Sequence, residues 1–156
     1  TEGRYLERCR LKTARLFEAA ARLGALAGGR DPEPFESFAR KVGLSFQLLD
    51  DVLDVTGPVE RTGKPRGADL LDGTVTLPWI VAASRDVGLT EVDLRSLDAD
   101  SALAVCERIE ATGALDDVRG RARALADDAH GIADALTDPT ASALHLIATA
   151  MVERSS

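Results

Sequence analysis

Residues 33–56 read EPFESFARKVGLSFQLLDDVLDVT, with no proline after Pro34 and a single glycine. More than any other segment, this one restricts what the chain can become. Apolar residues recur around most of a helical circumference, so a helix here must be buried on nearly every side. At about 100° per residue with Asp50 at zero, Gly43 falls near 20°, Asp54 near 40°, Gln47 near 60° and Asp51 near 100°. Val42, Ser45, Phe46, Leu48, Leu49, Val52, Leu53 and Val55 fill the rest. The carboxylates therefore share one narrow arc of an otherwise greasy helix. Like charge and burial both raise carboxyl pKa values, so three such groups do not all stay ionised in a dry cavity. Two readings stand at this point: a solvated acidic edge, or a site for a hard divalent cation. Mg²⁺ suits the second, because it takes one or two carboxylates and keeps positions for water and phosphate oxygens.

The rest of the chain supports an all-α fold. Ala and Leu are abundant, aromatics make up 4%, and β-branched runs are few. Apolar positions Tyr5, Cys9, Leu16, Ala20, Leu23 and Ala27 form a stripe on a first helix that Gly28-Gly29 ends. Asp31-Pro32 opens the second helix, Glu33 to Thr56, which stops before Gly57-Pro58. Further helices are expected over Val75–Arg85, Asp98–Thr112, Asp116–Leu136 and Pro139–Glu153. The expectation is an array of about six helices. The one long non-helical segment, Gly57 to Gly73, is rich in Gly, Pro and charge. Loops of that length in compact domains are usually functional or disordered.

A net charge of −7 argues against a nucleic-acid surface but leaves room for a small anionic ligand held by a few placed cations. Cys9 and Cys106 have no metal-ligand spacing, and two cysteines make no disulfide framework. The apolar runs Val75–Ala83 and Leu144–Val152 are too short to span a bilayer. No signal peptide is visible in a chain that opens without Met, and a reduced, cytoplasmic setting is expected. Lys12-Thr13 lies on the first helix, and Lys64 and Arg66 lie in the glycine-rich loop. Lysines and backbone amides suit phosphate oxygens. With no Ser, Cys or His constellation, these cations and the aspartates point to Mg²⁺–diphosphate chemistry. His130 and His145 read as ordinary residues of late helices.

Three blocks now carry a resemblance: YLERCRLKTARLFEAAARLGALAGG, FARKVGLSFQLLDDVLDVTG and TGKPRGADLLDGTVTLP. In this order they resemble the C-terminal half of the trans-isoprenyl diphosphate synthases, the polyprenyl synthetases. DDxxD alone is weak; KT, FQxxDDxxD and GKPxGxDL together are specific. The resemblance implies half of the all-helical isoprenoid synthase fold, usually assembled as a dimer. It also implies Mg²⁺-assisted ionisation of an allylic diphosphate and addition of isopentenyl diphosphate to the cation. By resemblance, Asp50 ligates Mg²⁺ directly, while Asp51 and Asp54 act through metal-bound water or from behind it. Lys12 and Lys64 match lysines that hold the allylic diphosphate. Thr13 and Gln47 match positions whose oxygens face the developing cation, Phe46 walls the cavity, and Arg66 is a weaker candidate for binding substrate. Asp69 caps or holds the loop.

Two departures from the family pattern stand out. Thr74 occupies a place where many members carry lysine. No first aspartate-rich motif is present, nor the basic pocket for isopentenyl diphosphate that goes with it. Residues 1–156 therefore read as the C-terminal half of a synthase domain, from a split enzyme or a cleaved one. The isolated chain is expected to be inactive and to need a companion chain carrying the first motif, as a hetero-oligomer or a dimer of such pairs. The alternatives are a non-catalytic regulatory subunit of a prenyl synthase and a terpene cyclase relative.

Overall fold

The computed structural model describes residues 1–57, 63, 65–136 and 140–153. Among them every regular element is helical. Glu2–Cys9 is α1, Arg10–Ala14 is a π turn, Arg15–Ala27 is α2 and Glu33–Thr56 is α3. Ala68–Leu71 is α4, Leu77–Arg85 is α5, Ala99–Ala111 is α6, Ala114–Asp134 is α7 and Thr140–Glu153 is α8. Short 3-10 turns cover Val87–Glu91 and Leu94–Ser96. The all-α expectation holds, with helix ends within a few residues of those expected. Among its described residues, the segment read as one long loop carries the helical turn α4.

Local chemistry explains the boundaries. Asp31 Oδ1 accepts the Glu33 amide at 3.1 Å where α3 begins, and Glu33 and Glu36 place negative charge at its positive end. Pro78 sits in the first turn of α5, where its missing N–H costs nothing. Asp98 caps α6 by accepting the Ser101 amide at 2.8 Å. After α2, Gly29 adopts φ 65°, a left-handed turn that L-residues with a Cβ resist.

The stripe expected along the first helix needs a correction. Tyr5 and Cys9 are buried, but the inward positions that follow are Ala14, Glu18 and Ala25. Leu16 is 71% exposed and Leu23 67%, and Ala20 and Ala27 are exposed too. The cause is the π turn, which inserts one residue into the helix between Cys9 and Arg15. The inward face turns by about 100°, so a stripe drawn at a constant α-helical period falls out of register after Cys9.

The chain forms two compact units. One comprises residues 1–5 and 48–119. Its buried side chains include Val52, Val55, Leu70, Leu77, Leu89 and Ile109, and α6 contacts both α4 and α5. The other unit comprises residues 6–47 and 120–156. Here Phe38 and Val42 of α3 pack with Ala129 and Ala133 of α7 and Ala148 of α8. The alanines let the helices approach closely. Ser45, fully buried, donates to the Ala122 carbonyl at 2.9 Å, so its hydroxyl is satisfied inside the core. Glu18 is only 4% exposed and receives Arg15 at 3.0 Å and Arg40 at 2.9 Å. Burial by itself would raise its pKa; the two guanidiniums outweigh that and hold it below the ordinary carboxylate value. His130 and His145 stack and share an Nδ1–Nδ1 hydrogen bond of 2.8 Å, with Asp134 3.0 Å from His145 Nε2. They tie α7 to α8. Among the described residues no helix is long and apolar enough to cross a membrane.

Candidate active site

Lys12 and Thr13 both lie within the π turn. Such single widened turns are rare and concentrate at functional sites, because they re-aim side chains that an α-helix would place elsewhere. Lys12 is exposed. Thr13 Oγ1 donates to Gln47 Oε1 at 2.6 Å, which orients the amide of α3 from the neighbouring helix. Gly43 makes this approach possible: a Cβ there would lie 2.8 Å from Ala14 Cα and 3.3 Å from a Phe17 ring carbon. Gly43, which the helical wheel puts in the polar arc, is thus the contact point for the π turn. Phe46, half-buried, meets Phe17 at 6.1 Å between ring centroids.

The three aspartates of α3 have different surroundings. Asp51 is 3% exposed and accepts a hydrogen bond from the Tyr5 hydroxyl. Asp54 is half-buried, and its Oδ2 accepts the Asp69 amide at 3.1 Å. Asp50 is exposed and makes no hydrogen bond or ion pair among the described residues. One carboxylate of the three is therefore left open toward solvent, and the other two have contacts within the protein.

The same unit shows how the glycine-rich segment returns to α3. Gly67 takes φ 77°, and its amide donates to the Asp54 carbonyl at 2.8 Å. That left-handed conformation is available to glycine at little cost. Arg66 Nε donates to the Val55 carbonyl. Its Nη2 lies 2.8 Å from Glu110 Oε1, near enough for an ion pair though not aligned for a hydrogen bond. These contacts brace the end of α3 against the loop. Asp69 holds the loop from both ends: its amide reaches Asp54, and its carbonyl accepts the Thr74 amide at 2.8 Å. Cys106 lies beneath, where a Cβ on Gly67 would come within 3.0 Å of its sulfur. Burial pushes the Cys106 thiol up to about 11, against the opposing pull of Arg66. Lys64 lies outside the described residues.

Among the described residues no three His, Cys, Asp or Glu side chains converge on one metal position. The donor chemistry still fits Mg²⁺, which needs only one or two carboxylates and fills its octahedron with water and phosphate oxygens. Of the three aspartates, Asp50 is the exposed one.

A family model, polyprenyl synthetase, matches residues 1–98. The chain belongs to the polyprenyl synthetase family. A geranylgeranyl diphosphate synthase of Methanosarcina mazei is 37% identical over 99% of this chain and 49% of its own length. Heptaprenyl diphosphate synthase component 2 of Geobacillus stearothermophilus is 54% identical over 51% of this chain and 26% of its own. The crystal structure of a polyprenyl synthase from Caulobacter crescentus, complexed with calcium and isoprenyl diphosphate, covers 100% of this chain and 51% of its own. Its TM-score is 0.91 at 32% identity. The fold is that of the prenyl synthases, and this chain spans about half the length of the relatives it matches along its whole extent.

Sequence reasoning missed Tyr5 and Glu110 around the end of α3 in one unit and Gly43 beneath the π turn in the other. A signal existed for Tyr5: a tyrosine on a buried stripe must find an acceptor for its hydroxyl. Gly43 and Glu110 gave none, because their roles depend on which helices become neighbours.

Proposed function

We propose that this chain is half of a trans-prenyl diphosphate synthase. It holds the allylic diphosphate and works with a polypeptide that supplies the first aspartate-rich motif and the pocket for isopentenyl diphosphate. The observation that carries this reading is the division of labour on α3. Asp51 and Asp54 have partners within the protein, while Asp50 is open to a cation. A solvated acidic edge would leave all three exposed. The name of one relative, component 2 of a heptaprenyl diphosphate synthase, supports a synthase of more than one chain.

In the reaction, the allylic C–O bond breaks heterolytically, leaving an allylic cation and diphosphate. The π electrons of isopentenyl diphosphate form the new C–C bond, and loss of a proton from the adduct restores a double bond. Mg²⁺, when bound, neutralises charge that develops on the leaving diphosphate. Asp50 would hold that ion. Lys12 and Lys64 would bind diphosphate oxygens and stabilise the same developing charge in place. The oxygens of Thr13 and Gln47 would face the cation, with their orientation set by the bond between them. Phe46 would form part of a water-poor wall, since water would quench the cation. Arg66 is a bracing residue in this reading, on account of its contacts with Val55 and Glu110.

The test is elongation of a labelled allylic diphosphate with Mg²⁺ and isopentenyl diphosphate, for the chain alone and with a co-expressed companion half. Elongation by the pair alone, abolished by Asp50→Ala, is expected. Unchanged turnover in that variant would make the chain a non-catalytic subunit, and a cyclised hydrocarbon would make it a cyclase relative.

A further inference from the structure

We infer that His130 and His145 form a one-proton clasp that fastens α8 to α7 near neutral pH and releases it when both rings become charged. None of the residues assigned to diphosphate chemistry takes part.

The chain has two histidines, and they meet. His130 Nδ1 lies 2.8 Å from His145 Nδ1, with the ring planes within 14° of parallel and the ring centroids 5.1 Å apart. The two nitrogens thus lie between the ring centres and face each other. Such a bond needs hydrogen on one nitrogen and a lone pair on the other. A metal ion bonds imidazole at about 2.0 Å, so an ion in line between facing nitrogens would set them about 4 Å apart. The gap here fits a proton.

Asp134 decides which ring supplies it. Its Oδ1 lies 3.0 Å from His145 Nε2, and a carboxylate only accepts, so that nitrogen carries hydrogen. A neutral His145 then has a bare Nδ1, and His130 donates from its own Nδ1. His130 Nε2 makes no hydrogen bond or ion pair among the described residues. His130 also lines a pocket of about 280 Å³ with Arg123, Asp127, Thr149 and Glu153. A first added proton goes to His130 Nε2 and makes the bond charge-assisted. A second has only His145 Nδ1 to go to, where it sets N–H against N–H between two cations. The clasp survives the first proton and not the second.

The surroundings leave the histidines as the groups that change charge. α7 presents Arg123, Asp127 and Asp134, and α8 presents Glu153. From the other packed elements, Phe17 of α2 and Phe38 and Val42 of α3 are apolar, and Lys41 of α3 is held by Asp128 at 2.6 Å. Carboxylates ordinarily titrate near about 4 and lysine and arginine above about 10, so histidine is what changes charge between about pH 5 and 7. If α8 opens, both rings enter water and each takes a proton near about pH 6.5. The closed pair holds one. Below that pH the open form binds one proton more, so its population rises about tenfold per pH unit. What loosens with it is the apolar packing of Leu144, Ala148 and Met151 against Phe38 and Val42.

The test is amide hydrogen exchange of the whole chain, read by NMR in EDTA and corrected for the intrinsic rate at each pH. Protection along α8 should fall roughly tenfold between about pH 6.5 and 5.5, while α3 keeps its own. His130→Ala and His145→Ala should show no such fall. Long-range proton–nitrogen NMR of wild type at about pH 8, where histidine is neutral, needs no variant to fold. It should find hydrogen on Nδ1 of His130 and on Nε2 of His145. No fall in wild type, or an equal fall in wild type and both variants, overturns the inference. So do two neutral rings that both carry hydrogen on Nε2.

Discussion

Gly43→Ala is the most direct probe of how the π turn is seated. In a helix, replacing glycine by alanine normally stabilises by about 1 kcal/mol, since glycine loses more backbone entropy on folding. At Gly43 the new methyl would stand 2.8 Å from Ala14 Cα and 3.2 Å from its Cβ. The nearest obstacle is backbone, which no rotamer change can relieve. Overpacking of this kind costs about 1–3 kcal/mol, so the net effect runs from near zero to about 2 kcal/mol of destabilisation. Gly24 is the internal control: it lies in α2, and a Cβ there meets nothing within 4 Å. Gly24→Ala should keep the full propensity gain of about 1 kcal/mol. The gap between the two variants, about 1–3 kcal/mol, isolates the steric term. Urea denaturation followed by circular dichroism reads it as a midpoint difference of about 1 M. If the two variants share one midpoint, α3 and the π turn do not meet at Gly43 and this packing account is wrong.

Other outcomes follow from the same contacts. Tyr5→Phe removes the hydroxyl from buried Asp51 and should cost about 1–3 kcal/mol, whereas Asp50→Asn should stay within about 0.5 kcal/mol of wild type; thermal unfolding of the two separates a structural aspartate from an open one. Glu18→Gln should lose about 1–2 kcal/mol at neutral pH, the low end for charge-assisted bonds because both arginine partners are half exposed. Since the folded-state pKa of Glu18 is depressed, its stabilisation is present above the unfolded value near 4.3 and is lost as pH falls through the folded value. Denaturation curves of wild type and Glu18→Gln should therefore converge in acid, and a constant gap down to low pH would contradict the ion-pair account. Both cysteines are buried, and the Cys106 thiol is pushed up to about 11, so neither should react with a disulfide reagent at pH 8 until urea unfolds the chain.

Much of the candidate site was legible in the chain because its signals are short-range. Asp50, Asp51 and Asp54 on one arc, and Lys12 next to Thr13, follow from helical spacing. The family blocks placed those residues in one kind of chemistry. What each aspartate touches was not legible, since Tyr5 is 46 residues from Asp51 and Asp69 is 15 from Asp54. Nothing in the spelling of DDVLD says which carboxylate receives a donor.

Helix boundaries belong to the sequence alone: Asp31, Gly29 and Asp98 act on backbone groups within three residues, so local composition suffices. The π turn belongs to the tertiary structure. Its segment, RLKTA, has an ordinary helical composition, and the widened turn appears where Gly43 lets α3 come close and Gln47 takes up Thr13. That one inserted residue turns every later position of the helix by about 100°, because a helical period propagates a local phase change to every position after it.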